Sequence, residues 1–245
     1  MGKNIFKILA VFILGIAGGI FGVQILWPYF VERPLFFQYR LEQNPVYITE
    51  RKQITIQENT ALKDAVEKVE KTVIGVRTRI AENGKILEGS GLIITSDGLI
   101  VTLADLVPQG SSFSFFAGGK PVSFQILKRD SESNLALVKI GETGLPTVGF
   151  AKPDTMKLGE RVFLVGVVFK DLALATSTKI SFAVNEGIVK SFDKNSIETN
   201  ISEKENLAGS PLFNIEGEVL GLNTISLEGK IVAIPVSKIK NFIGF

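Results

Sequence analysis

The chain of 245 residues has no histidine and no cysteine. Without imidazole there is no side chain whose ordinary pKa lies near neutrality, hence no histidine base and no imidazole metal ligand. Without thiols there are no disulfides, no thiolate zinc sites and no cysteine nucleophile. Net charge is also scarce: 27 Lys and Arg against 25 Asp and Glu leave +2. No basic stripe accompanies it, which argues against nucleic acid as a partner. Internal repeats and low-complexity segments are missing. Nothing in the residue spacing asks for a metal or a cofactor, and none is expected.

What is present begins with Ile8 to Trp27, an uncharged run of 20 residues in which Gln24 is the only strongly polar member. As a helix such a run spans ~30 Å, about one hydrocarbon core. Lys3 and Lys7 precede it, which favours an inside N-terminus, although Arg33 and Arg40 follow on the other side. The run is long for a cleaved leader, and no small-x-small site precedes Trp27-Pro28. Residues 1–28 are therefore predicted to be a cytoplasmic start and a single-pass anchor in the cell membrane, with the rest extracytoplasmic. Gly15 and Gly19, and Gly18 and Gly22, have the small-xxx-small spacing of helix pairs but read as ordinary glycine content. Residues 29–58 show no sustained period and carry Tyr29, Phe30, Phe36, Phe37, Tyr39 and Tyr47. They read as an aromatic-rich stalk.

Asn59-Thr60 opens an amphipathic helix with Leu62, Ala65, Val66 and Val69 on one face. From Thr72 the pattern changes to short strands separated by turns, such as Val73–Ile80, Leu87–Thr95 and Leu99–Thr102 about the turn Ser96-Asp97-Gly98. Similar runs continue to Ile231–Ile234, with little helix between them. The fold class is all-β, a sandwich or barrel.

Several landmarks then appear in a fixed order. Gly89-Ser90-Gly91-Leu92-Ile93-Ile94 precedes Asp97-Gly98-Leu99-Ile100-Val101-Thr102, and Arg129-Asp130-Ser131-Glu132-Ser133-Asn134 leads into Leu135-Ala136-Leu137-Val138-Lys139-Ile140. Leu158-Gly159-Glu160-Arg161-Val162 and Glu186-Gly187-Ile188-Val189 follow, then Asn206-Leu207-Ala208-Gly209-Ser210-Pro211-Leu212, Gly217-Glu218-Val219-Leu220-Gly221-Leu222-Asn223-Thr224 and Ala233-Ile234-Pro235. From about Thr60 onward this order resembles the HtrA/Deg branch of trypsin-like serine proteases. The resemblance implies two small Greek-key β-barrels over 59–245. The first, with its leading helix, occupies 59–155 and the second 156–245, with a cleft between them. Many members of that branch carry a PDZ domain after the second barrel; this sequence ends at Phe245, and none is expected.

Family members attack with a serine, deprotonate it with a histidine and orient the histidine with an aspartate. The resemblance places Asp105 where the histidine stands, Asn134 where the aspartate stands and Ala208 where the serine stands. An asparagine at the orienting position alone costs about 10⁴ in turnover. Residues Asn206, Leu207, Ala208, Gly209 and Ser210 form the counterpart of the oxyanion loop, and Asn206 replaces a family glycine there. No catalytic residue is therefore expected.

Three readings follow. The first is a membrane-anchored, catalytically degenerate member that holds extended peptides, unfolded segments or an active paralogue, by strand addition and without hydrolysis. The resemblance adds homo- or hetero-trimers, because such domains often trimerise through N-terminal segments. The second is a serine-type endopeptidase using other residues, with Ser210 and the nearby Lys204 as a dyad. The third is a purely structural envelope protein. Asp105, Asp130 and Glu132 read as solvated loop acids, and Phe113, Phe115 and Phe116 as core or interface packing.

Overall fold

The computed structural model describes residues 2–27, 60–171, 178–202, 207–225 and 230–244. Residues 2–27 form a unit by themselves. Helix α1, Gly2–Phe21, continues through a π-helical stretch at Gly22–Leu26, and its side chains are almost all exposed. Residues 2–25 are long and apolar enough to cross a bilayer. The stalk predicted over 29–58 lies outside the described residues.

The second unit begins with helix α2, residues 60–69, which buries Ala65 and Val69 and half-buries Leu62 and Val66, the face its period predicts. Seven strands follow: β1 Val73–Arg79, β2 Ile86–Ile93, β3 Leu99–Leu103, β4 Ser112–Ala117, β5 Lys120–Val122, β6 Phe124–Asp130 and β7 Leu135–Ile140. Their spatial order is β5-β4-β1-β2-β3-β7-β6, all antiparallel where paired. The first barrel is thus not sealed by a continuous hydrogen-bond ladder. It closes through the chain, because β5 and β6 lie at opposite ends of the sheet and are separated only by Ser123. Phe124 brings these ends together, its ring centroid 4.8 Å from that of Phe115 and 6.2 Å from that of Phe113.

The remaining strands are β8 Arg161–Asp171, β9 Thr178–Phe192, β10 Ile197–Ser202, β11 Pro211–Asn214, β12 Val219–Ile225 and β13 Lys230–Pro235. They form a closed barrel in the order β10-β13-β12-β11-β8-β9. Val162, Leu164, Val189, Ile197, Leu212 and Ala233 fill its interior. Alternate residues of β8 face the other way. Phe163, Val165, Val167 and Phe169 join the core of the first sheet. A Cβ on Gly75 of β1 would stand 2.8 Å from the Phe169 ring and 2.9 Å from Val167, so β8 lies directly on β1. This shared core fuses the two barrels.

Two elements extend the sequence reading. Strand β11 begins at Pro211 and is only four residues long, too short for a period of its own. Helix α3, Val236–Ile243, closes the described chain; Pro235 precedes it, and Gly244 ends it at φ 85° with its N–H bonded to Lys240 O. Val236, Ile239 and Phe242 form its buried face.

Candidate functional site

Asp105 sits in a 3₁₀ turn, Ala104–Leu106, directly after β3. Asn134 ends the turn between β6 and β7 and takes φ 52°, a left-handed conformation that asparagine tolerates better than most residues. Because β3 and β7 are paired from Leu99↔Lys139 to Leu103↔Leu135, the end of one strand meets the start of the other. The two residues bond reciprocally. Asp105 N–H donates to Asn134 Oδ1 at 3.0 Å, and Asn134 Nδ2 donates to Asp105 Oδ2 at 2.8 Å. Ala104 N–H adds a bond to the Asn134 carbonyl at 3.2 Å. Asp105 is exposed and Asn134 half-buried.

The third position arrives from the second barrel. Leu207 to Ser210 form a tight turn in which Ser210 N–H donates to Leu207 O at 3.1 Å and Gly209 adopts φ 74°. The turn docks on β2: Ser90 N–H donates to Ala208 O at 2.8 Å. A Cβ on Gly209 would stand 2.2 Å from Ser90 O, and one on Gly89 2.5 Å from Ala208 O. The Gly-Ser-Gly run of β2 is therefore the surface on which this loop seats. Leu106, next to Asp105, contributes a second wall. Its side chain would lie 2.5 Å from a Cβ on Gly89 and 3.0 Å from one on Gly209. The Asp105 turn and the Ala208 turn thus share one buried leucine as a spacer. Ala208 itself is half-buried. Asn206 and Lys204 lie outside the described residues.

Ser210 points the other way. It is fully buried, accepts from Asn223 Nδ2 at 3.3 Å, and would lie 3.3 Å from a Cβ on Gly166 of β8. Asn223 fixes the same loop through its backbone: Gly209 N–H donates to Asn223 O, and Asn223 N–H to Ser210 O, both at 2.8 Å. Asn223 Oδ1 is buried and has no hydrogen-bond partner among the described residues. Ser90 ties in the first barrel. Its Oγ accepts from Val167 N–H at 2.8 Å, and its carbonyl from the Thr102 hydroxyl at 2.7 Å. Sequence reasoning did not single out Ser90, Leu106 and Asn223 as supports. Ser90 and Asn223 stand inside the quoted motifs, but only contacts between strands far apart in sequence reveal what they do.

The other acids have structural duties. Asp130 caps its own turn, and the Ser133 hydroxyl, then the Ser133 N–H, hold its carboxyl below the usual range. Glu132 contributes its N–H to the same cap, at 3.0 Å from Asp130 Oδ1. No group of three or more Asp, Glu, His or Cys able to hold a metal occurs among the described residues. Phe115 is fully buried and Phe113 and Phe116 are half-buried, as packing residues should be. A cavity of about 640 Å³ lies elsewhere, between Phe192, Leu220 and the start of α3 at Val236, and includes none of Asp105, Asn134 or Ala208.

Residues 89–222 match the trypsin-like peptidase domain. The chain is 31% identical over 190 residues to a serine protease HTRA1 of Xenopus laevis, covering 73% of this chain and 41% of that protein. It is 30% identical over 145 residues to a probable periplasmic serine endoprotease DegP-like of Ectopseudomonas mendocina, covering 56% and 29%. It therefore spans well under half the length of these relatives. A serine endoprotease of Yersinia pestis superimposes with a TM-score of 0.62 at 23% identity, over 75% of this chain and 65% of that one, a likeness of fold. The stretch from Gly89 to Leu222, which contains the Asp105–Asn134 pair, the Ala208 turn and the β2 surface that seats it, belongs to the trypsin-like peptidase domain family, in its HtrA/DegP-type branch.

Proposed function

We propose that this protein is a membrane-anchored, catalytically inactive member of its family that holds extended polypeptide in the inter-barrel cleft without cutting it. The carrying observation is the reciprocal bond between Asp105 and Asn134. It has the arrangement a base and its orienting partner need, but the front member is a carboxylate and the rear one a carboxamide. The chain has no histidine to fill the base position, and the methyl of Ala208 offers no nucleophile. A serine protease that loses its serine or histidine loses about 10⁶ in turnover. The endopeptidase reading through Ser210 is disfavoured by the complete burial of that side chain and its bond from Asn223. The apolar helix at residues 2–25 supports a single-pass anchor, with Lys3 and Lys7 inside and the barrels outside. Family likeness supports trimers, with themselves or with an active paralogue, as the assembled form.

The test uses the full chain in lipid nanodiscs. Fluorescein-labelled reduced casein should bind, read by anisotropy, and stay intact over days on a gel. A fluorophosphonate probe should label nothing. The replacements Asp105→His, Asn134→Asp and Ala208→Ser, made together, should still give no peptidase activity, because Asn206 stands where the oxyanion loop has a glycine. Cleavage by the unaltered protein would overturn the inactive reading. Absence of casein binding would leave the purely structural role.

A further inference from the structure

We propose that the cavity of about 640 Å³ at the start of α3 binds a free single-chain carboxylate of the fatty-acid kind, its chain inside and its head among three lysines. The cavity shares no residue with the Asp105, Asn134 and Ala208 site, and its occupation does not depend on peptide holding. Three pieces of chain build it: residues 151–156, which join the two barrels, the turn between β9 and β10, and the first turn of α3. Met156, Phe192, Ile197, Leu220 and Val236 make its apolar wall. Ile197 and Leu220 belong to the core of the second barrel and Met156 packs against it, so an apolar chain here extends that core. The volume falls within the roughly 300–1,000 Å³ of small-molecule sites, which are likewise mostly apolar with a few polar groups.

The backbone of these walls is already paired. Ile197 lies opposite Phe192 on one side and Ala233 on the other. Ala151 N–H donates to Val219 O at 3.0 Å, and Asp193 N–H to Ser196 O at 2.9 Å. At Ile197 and Phe192 an extended peptide therefore finds no strand edge to join. An alkyl chain needs none. The head group follows from charge. Lys152, Lys194 and Lys238 stand at the cavity with Asp154 and Asp193, three cations against two anions and so an excess of one. Asp193 is turned into its own loop, where it accepts from the N–H groups of Asn195 and Ser196, both at 2.7 Å. The Asn195 N–H, then the Ser196 N–H, hold its carboxyl below the usual range, and the Lys238 charge adds to this. Lys238 thus answers Asp193, and Lys152 and Lys194 are left against Asp154. That excess matches a single negative charge on an apolar chain and opposes a cationic head.

The experiment uses the full chain in nanodiscs of uncharged lipid, with its methionine methyl groups labelled with carbon-13. The chain has two methionines, Met1 and Met156. The Met156 signal reports from the cavity wall, and the Met1 signal controls for partitioning into the disc. Decanoate, decanol and decyltrimethylammonium are added below the concentrations at which they form micelles. Decanoate should move the Met156 signal saturably and bind about fivefold more tightly than decanol, the size expected of a solvent-accessible charged contact. The cation should bind most weakly. Hexanoate should bind at least about tenfold more weakly than decanoate, because four methylenes leave the apolar wall. Lys152→Gln, Lys194→Gln and Lys238→Gln, made together, should bring decanoate and decanol level. Ser237→Trp, which fills the cavity from α3, should abolish the movement; Asn241→Trp, at an exposed position, replaces it if the first loses its thermal transition. Equal binding of decanoate and decanol by the unaltered protein overturns the carboxylate, as does a preference that survives the three lysine replacements. A Met156 signal that none of the amphiphiles moves overturns the site. Movement in discs containing phosphatidylglycerol, with nothing added, assigns the cavity to membrane lipid and overturns the free carboxylate.

Discussion

The seam between the barrels and the turns of Asp105 and Ala208 in front of it are built from adjacent residues under opposite constraints. In the seam, Gly89, Gly209, Ser90 and Asn223 meet with no spare volume and with nearly every polar atom assigned. In front of it, Asp105 is exposed, and Ala208 is half-buried and only borders the core. The chemistry of a site can therefore change while the scaffold that presented it is held by packing a few ångströms behind. Protein interiors resist added volume far more than surfaces do.

The contrast is most sharply tested at neighbouring residues of one turn. Gly209→Ala puts a methyl 2.2 Å from Ser90 O at a φ of 74°. It should cost about 4 kcal/mol or more, or prevent folding. Thermal melting followed by circular dichroism should show a fall of over ~10 °C. Ala208→Ser, one residue earlier, should shift the same transition by only about 1 °C. If the two variants melt alike, the division between the seam and the turn in front of it is wrong.

Asn134→Asp comes next. It sets two carboxylates where one amide N–H met one carboxylate, so each raises the pKa of the other. A raised folded pKa means that the deficit is absent below the unfolded value and grows as pH rises through the folded one. Urea unfolding at neutral pH should report a loss of about 1–3 kcal/mol, largely recovered near pH 4. Adding Asp105→Asn should rescue it at neutral pH. A loss that does not depend on pH would show that repulsion is not its cause.

Ser210→Ala should cost about 1 kcal/mol by removing the acceptor of Asn223 Nδ2, measured by urea unfolding. A larger loss, or a change in probe labelling, would point to a function for the hydroxyl beyond the seam. The smallest effect lies far from both regions. The Lys139 ammonium, then the Thr95 hydroxyl, hold the Asp97 carboxyl at about 2. With a depressed pKa, whatever this pair adds to stability is present above the unfolded value and lost as pH falls towards 2. Lys139→Met should return Asp97 towards its ordinary range in a carboxyl-carbon NMR titration, without moving casein binding.

Much of this was legible beforehand because the signals are local. The period of α2 gave its buried face, and the Asp97-Gly98 turn gave the β2–β3 hairpin, with Gly98 at φ 93°. The order of motifs named Asp105 and Asn134, and the two bond to each other. Less legible was α3. Its apolar residues at Val236, Ile239 and Phe242 keep a helical spacing, and Pro235 and Gly244 mark its ends, but eight residues are too few for periodicity to stand out. Least legible was the seam. Ser90, Leu106, Gly166 and Asn223 are ordinary in their own strands and gain a role only when β2, β8 and β12 meet. The break between β5 and β6 is no clearer, since Val122, Phe124, Ile126 and Leu127 make one apolar run broken only by Ser123 and Gln125.

That break has a consequence for how copies of the protein coexist. Chain closure at Ser123 leaves the later part of β6, from Ile126 to Asp130, paired on one side only. Unpaired backbone of this kind invites another chain to add itself and start an aggregate. The stretch carries its own protection: the register slips between Ile126 and Lys128, and Lys128, Arg129 and Asp130 follow in succession. A bulge and a run of charge make this backbone a poor template. Without them, this flank would offer neighbouring copies a strand to add to.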